Sequence, residues 1–464
     1  MKLTVIADTH YYAKSLGVTG EAYELRSGSD QKCLGESHEI IEEAFGRIAR
    51  SGAEAVLIAG DLSNNGERAS HEGMRALLYD LQKSKPVYVV TATHDWCSNK
   101  KASRYVGGEV IQGVPVLGHE ELRDFYFGFG PKQAISEFFT HLGTSSYVVE
   151  LKEKIWLLAL NDDQNGKGRA GYTPEHAAWI VEQLRAAKER GITVIGMQHH
   201  LVLPHISPLI TGGSCVGDRE EVAEMLADAG LRYLFVGHTH MQSILRYESP
   251  AGNTLYEINV GALCGYPAPI VQVTVEDGGL AVKTEYLETR QDFLKDKATG
   301  LVTRMLDSAA AGDKLEFARR VTAMQMKGDK IAKYFFMIKP AARWLNKLTV
   351  RRAGKLIRVL SLGKAVKRGE IEDYPDGLAI DLAMEIFLNV FDGGLHRHKR
   401  GSGTYKAAMA LARLTKKQSL MDAMDTILTG GVIDINDAFL PCCYQRECAA
   451  PTRFAPKRRL SSRS

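Results

Sequence analysis

Leu3-Thr4-Val5-Ile6-Ala7-Asp8-Thr9-His10 is a short β-branched run that stops at a carboxylate and an imidazole two positions apart. Brief runs rich in Val, Ile and Leu read as strands buried on both faces. In sheets of such strands, ligands collect at the carboxyl ends. The same pattern recurs down the chain. Run 55–59 leads into Gly60-Asp61, run 87–90 into Thr93-His94-Asp95, run 194–197 into His199-His200, and run 231–236 into Gly237-His238-Thr239-His240. Run 155–160 predicts one more strand.

Between these runs the apolar spacing becomes helical. Ile40, Ile41, Ala44, Phe45 and Ile48 share one face, as do Met74, Leu77, Leu78 and Leu81, and then Ala177, Ile180, Val181 and Leu184. Asp218 reads as an N-cap before Val222, Met225 and Leu226, with Gly230 as the stop. Strand–helix alternation predicts an α/β fold. Runs 254–259, 270–275 and 280–284 follow without helices and are expected to finish a second sheet packed on the first.

The 464 residues carry a net charge of +4, which hides an asymmetry. Residues 291–464 hold 32 Lys/Arg and 18 Asp/Glu, whereas 1–290 hold 27 and 37. Such a shift predicts a domain boundary near 290. Residues 291–440 read as helical and basic, and 441–464, rich in Cys, Pro, Arg and Ser, as a disordered tail. Seven scattered cysteines, an odd number without a CxxC pair, predict a reducing compartment rather than a disulfide framework. Cys442, Cys443 and Cys448 have no histidine nearby and do not read as a zinc knuckle. The start of the chain does not read as a secretory leader, and no apolar run reaches the ~18 residues of a membrane span. A cytoplasmic protein is expected.

Each strand-end set has a chemical rationale. Asp8 and His10 share a face on an extended chain, so together they can grip one cation. His238 and His240 stand in the same relation. Gly60 and Gly237 permit sharp turns that aim the following side chain into the cleft. The Asp61 carboxylate has two oxygens and can bridge two ions. Imidazole with carboxylate suits zinc, iron or manganese. A lone histidine near a strand end is ordinarily just a polar surface residue, and most of the remaining histidines (His38, His71, His119, His141, His176, His205, His396, His398) read that way. Five ordered sets do not.

Taken together, Asp8-Thr9-His10, Gly60-Asp61, Thr93-His94-Asp95, His199 and Gly237-His238-Thr239-His240 resemble the signature of the calcineurin-like metallophosphoesterases, over roughly residues 1–290. Gly60-Asp61-Leu62-Ser63-Asn64-Asn65-Gly66-Glu67 resembles the bacterial branch related to class III cyclic nucleotide phosphodiesterases. The resemblance implies a four-layer α-β-β-α sandwich with a helical C-terminal extension. It also implies a pair of divalent ions and hydrolysis of a phosphodiester by metal-activated water. Asp8, His10 and His240 would hold the first ion, Asp61 would bridge, and His199 and His238 would hold the second. His94 would sit beside the leaving group.

Two departures matter. Thr93 stands where the family has asparagine, and its shorter hydroxyl is a poorer ligand, so the second site is expected to be weaker. The arginine with which phosphoprotein phosphatases grip phosphate is absent from Asn64-Asn65-Gly66, which favours a small phosphoester such as a cyclic nucleotide. Asn65, His200 and His205 are the candidate substrate contacts, and Asp95 reads either as an orienting group or as a loop cap. A weakly active scaffold, or a hydrolase of lipid-linked substrates, are the alternative functions. The stretch 331–369 has eleven Lys/Arg and no Asp/Glu, interleaved with Tyr334, Phe335, Phe336 and Trp344. Docking on the acidic N-terminal domain is the first expectation for it and an anionic membrane surface the second; nucleic acid ranks below both.

Overall fold

The computed structural model describes residues 1–96, 101–323, 335–345 and 347–442. Its strands are β1 (Lys2–Ile6), β2 (Ala55–Ala59), β3 (Val87–Val90), β4 (Ser103–Val106), β5 (Glu109–Gln112), β6 (Ser136–Phe139), β7 (Ser145–Lys152), β8 (Ile155–Ala159), β9 (Thr193–Met197), β10 (Tyr233–Val236), β11 (Ser243–Glu248), β12 (Thr254–Asn259), β13 (Pro269–Glu276), β14 (Gly279–Tyr286) and β15 (Asp437–Pro441). One sheet runs β15-β14-β13-β1-β2-β3 and the other β11-β12-β10-β9-β8-β7-β6, with β4 and β5 as a separate hairpin. Within them β1, β2 and β3 are parallel, as are β8, β9, β10 and β12.

Period-two alternation builds the layers. Leu3, Val5 and Leu57 face Leu157, Ile195 and Phe235 between the sheets. Ile6, Val56 and Ile58 turn outward against Ile40, Ile41, Met74 and Leu78, from the helices Ser37–Arg50 and Arg68–Gln82. On the far side Leu158, Leu234 and Val236 pack against Ile180, Leu184 and Leu226, from the helices Pro174–Glu189 and Arg219–Ala229. Each such buried aliphatic side chain contributes roughly 2 kcal/mol of transfer free energy. The result is the four-layer α-β-β-α sandwich.

Three expectations are corrected. The late strands do not all finish one sheet: β12 joins the second, whereas β13 pairs antiparallel with β1, and β14 with β13, in the first. Asp218 is the N-cap residue, but it sits in the left-handed region at φ 53° and makes no capping bond; its carboxylate lies 3.3 Å from Lys167 instead. Beyond the helices of the C-terminal region, residues 437–441 form a strand hydrogen-bonded to β14. Cys443, Cys448 and the rest of 443–464 lie outside the described residues, as do 331–334 and 346 of the basic stretch.

The helical region docks through apolar faces of Gln291–Ala311 and Ala379–Phe391, where Leu294, Ala298, Leu388 and Phe391 enter the outer core of the first sheet. Among the described residues, the aromatics of the basic stretch play no part in that docking. Phe335 packs 5.4 Å from Phe317 within the helical region itself, and Phe336 and Trp344 are exposed. Among the described residues no helix is long and apolar enough to cross a membrane.

Candidate metal centre

The parallel strands bring their carboxyl ends to one edge, and the polar sets meet there. Asp8, His10 and His240 place one ligand atom each within 4.8 Å of the others, and Asp61, His199 and His238 do the same. Asp8 Oδ1 lies 3.6 Å from His10 Nε2 and 3.4 Å from His240 Nε2, and the two imidazole nitrogens are 2.9 Å apart. Asp61 joins the clusters. Its Oδ2 is 3.1 Å from His199 Nε2 and 3.9 Å from His10 Nε2, while its Oδ1 accepts the His94 backbone N–H at 2.8 Å.

The convergence arises differently from the extended-chain expectation. Asp8, His10, Asp61, His238 and His240 all have positive φ, between 41° and 72°. The strand geometry has already ended, and left-handed turns swing these side chains together. Gly60 is left-handed too, at φ 87°. Gly237 is not; a Cβ there would stand 2.6 Å from Asp8 Oδ2, so the glycine is required by space rather than by its turn.

These residues fit a pair of divalent cations. Asp8 Oδ1 is buried without a hydrogen-bond partner, a rare condition that a ligand relieves. His199 Nδ1–H donates to Ala59 O at 2.8 Å, leaving Nε2 to carry the lone pair a metal needs. Burial drives the pKa values of His10 and His238 well below the ordinary imidazole value, which keeps both in the neutral form that ligates.

His94 stands over this centre, its ring 4.9 Å from that of His10. Nδ1–H donates to Asn64 O at 2.5 Å and faces Asn65 Oδ1 at 3.0 Å, which leaves Nε2 toward the cleft. Asn65 therefore orients His94. Thr93 is half-buried in the turn before it. Asp95 is a loop cap: its carboxylate accepts the N–H groups of Ser63 at 2.8 Å and Ala92 at 2.9 Å. Burial, then the Asp61 charge, push its pKa up to about 8.

His200 packs 4.4 Å from the His238 ring and is held by Asp162, which accepts its N–H at 2.8 Å and faces its Nδ1 at 3.2 Å. His205 is no substrate contact. It is buried, with Nδ1 on Ser243 Oγ at 2.6 Å and Nε2 on Glu257 Oε1 at 2.9 Å, so both ring nitrogens serve the fold. His71 and His176, expected at the surface, are buried as well. Sequence reasoning missed three residues here. Asp162 follows β8 and was reachable by the strand-end rule already applied to its neighbours. Gln31, whose Nε2 lies 2.9 Å from His240 Nδ1, and Lys32, whose Nζ lies 3.3 Å from His94 Nε2, come from a loop without periodicity.

A profile of the calcineurin-like phosphoesterases matches residues 1–242. A search of curated proteins finds no match. Among solved structures the chain is similar to a dimetal phosphatase from Danio rerio, with 14% identity over 62% of this chain and 96% of that one and a TM-score of 0.44. It is similar to a purple acid phosphatase from yellow lupin (Lupinus luteus) seeds, with 13% identity, 62% and 51% coverage and a TM-score of 0.38. A 5'-nucleotidase precursor from Thermus thermophilus gives 14% identity, 66% and 59% coverage and a TM-score of 0.36. With more than half of its length matched by the family profile, the chain belongs to the calcineurin-like phosphoesterases and is a phosphoester hydrolase.

Proposed function

We propose that this hydrolase acts on a small phosphoester, a phosphodiester such as a cyclic nucleotide in preference to a phosphoprotein. The observation that supports it best is Asp61, whose Oδ2 lies 3.1 Å and 3.9 Å from nitrogens of the two ligand clusters and whose Oδ1 accepts the His94 backbone N–H at 2.8 Å. Asp8, His10 and His240 would hold one divalent cation in this reading, and Asp61, His199 and His238 the other, which Thr93 would leave the weaker site. Manganese, iron and zinc all suit these donors. When bound, such a pair supplies an activated water and the charge that clamps phosphoryl oxygens.

The protein's own groups do the rest. Asn64 O and Asn65 Oδ1 fix the His94 ring so that Nε2 meets the leaving oxygen. Burial and the Lys32 ammonium push the His94 pKa down. An anionic phosphoester against Nε2 acts in the opposite sense and favours the imidazolium, the form that protonates a leaving alkoxide. His200, braced by Asp162, walls the side of the second cluster.

The direct test is hydrolysis of bis(p-nitrophenyl) phosphate with added manganese, followed by a panel of cyclic nucleotides and phosphomonoesters. Turnover is expected, lost on chelation and lowered about 10²- to 10⁴-fold in His94→Ala. Preference for monoesters would replace the diester assignment.

A second reading, hydrolysis of a lipid-linked phosphoester at an anionic membrane, is supported by the end of the helix Val350–Leu360. Val359, Leu360 and Leu362 are 70%, 62% and 86% exposed. Residues 347–369 around them carry eight Lys/Arg and no Asp/Glu. Apolar tips ringed by basic residues suit anionic headgroups. The full chain should float with phosphatidylserine vesicles at low salt but not with neutral ones, and Leu360→Asp/Leu362→Asp should abolish it; equal recovery with both vesicle types contradicts the reading.

A further inference from the structure

We infer that Lys32 is the cation that grips a phosphoryl oxygen of the substrate, an assignment that rests on the hydrolytic reading above and extends it to a residue outside the metal-ligand motifs. Lys32 lies between the short helix Glu21–Ser27 and the helix Ser37–Arg50, on the loop that covers the first cluster. It is only 5% exposed, and its Nζ sits 3.3 Å from His94 Nε2, the atom aimed at the leaving oxygen. Its neighbour Gln31 reaches His240 Nδ1 at 2.9 Å, so one loop touches both the first cluster and His94.

A buried ammonium is costly unless an anion faces it. The nearest acidic residue in sequence, Asp30, supplies favourable charge, but its own side chain is engaged elsewhere. Asp30 is paired with Arg26 at 2.5 Å and also accepts the Lys32 backbone N–H at 3.0 Å. Among the described residues the group recorded against Nζ is an imidazole nitrogen, which brings no negative charge unless ionised groups stand behind it. Burial pulls the Lys32 pKa down, and the charges that oppose it are Asp30 first, then Asp61 and Asp8, the carboxylates of the two ligand clusters. A cation pair held in those clusters would engage both of their carboxylates. The ammonium then adds to a surplus of positive charge that an anionic phosphoryl group cancels. Asn64-Asn65-Gly66, on the Nδ1 side of the His94 ring, carries no cation. Lys32 thus stands on the leaving-group side of the centre, with Nζ–H donors free to turn from His94 Nε2 to a phosphoryl oxygen.

Inorganic phosphate is the probe. Its inhibition constant against bis(p-nitrophenyl) phosphate is measured for wild type, Lys32→Met, Lys32→Gln and Lys32→Arg, each checked for folding by circular dichroism. Manganese binding to each is measured by calorimetry. Phosphate is expected to bind about 10- to 100-fold more weakly to the Met and Gln variants. The Arg variant should recover most of that loss, and manganese affinity should hold or tighten as a repelling charge is removed. Unchanged phosphate binding in a folded Lys32→Met protein that still binds manganese overturns the assignment alone. A wild-type protein that neither binds manganese nor hydrolyses the diester overturns the hydrolytic reading and this one with it. A purely structural Lys32 would lower thermal stability in Met and Gln variants without moving the phosphate constant.

Discussion

At the scale of single residues, the centre is governed by protons and by backbone strain. Burial opposes charge on His199, but the Asp61 carboxylate outweighs it and holds the pKa well above the ordinary imidazole value. The metal-free protein therefore keeps a proton on His199, and a cation must expel it to reach Nε2. The sign follows directly: manganese binding releases a proton, so affinity rises with pH until that proton is gone. Calorimetry in buffers of different ionisation enthalpy should detect the release; buffer-independent heats would contradict it. Thr93→Asn should tighten the weaker manganese site, because an amide oxygen reaches further than a hydroxyl, and an unmoved titration would show that position 93 is no ligand. The ligand residues themselves were legible, since each follows a buried run in sequence. Their left-handed backbone was not. Asp and His tolerate positive φ at a cost of about 1–3 kcal/mol each, and only tertiary context reveals where that cost is met. His205 misled for the converse reason: its ring nitrogens are claimed by Ser243 and Glu257, which lie 38 and 52 positions away.

At the scale of elements, the loop bearing Gln31 and Lys32 depends on the helical region. Lys297, from the helix Gln291–Ala311, donates to Ser27 O and Oγ at 2.5 Å, and Arg304 donates to Gly28 O at 3.2 Å. Replacing both by Ala should raise amide exchange across residues 28–33 and increase KM more than it lowers kcat. Exchange indistinguishable from wild type would mean the loop is held by its own contacts. Apolar runs made the central strands legible to within a residue or two. The hairpin β4–β5 and the edge strands β6 and β11 escaped because exposed edges lack a continuous apolar run, and β7, inside the second sheet, escaped too because its Tyr147-Val148-Val149 core is flanked by polar residues. The loop 28–36 escaped because nothing in its composition departs from an ordinary connection.

At the scale of the whole molecule, the change in charge near residue 290 marks a change of composition rather than a place to cut. Strand β15 pairs with β14 from Gly279↔Pro441 to Lys283↔Asp437, so the far end of the helical region completes the first sheet. Tyr233 donates its hydroxyl to Leu440 O at 3.0 Å, fastening that strand to the second sheet as well. A protein ending at residue 290 should therefore melt at lower temperature and aggregate more readily than the full chain, because the β14 edge becomes a template for other chains. Equal melting points by differential scanning fluorimetry would rule this out. The strand was invisible in the sequence because Asp437-Ala438-Phe439-Leu440-Pro441 is short, ends in proline and acquires its register from β14.

Strand β15 also sets an order of events during synthesis. When Tyr286 leaves the ribosome the first layer still has an open rim, and it stays open until some 155 further residues have been made. At roughly 5–20 residues per second that interval lasts on the order of ten to thirty seconds. Throughout it the nascent polypeptide must be kept from its neighbours on the polysome, by the emerging helices or by a chaperone.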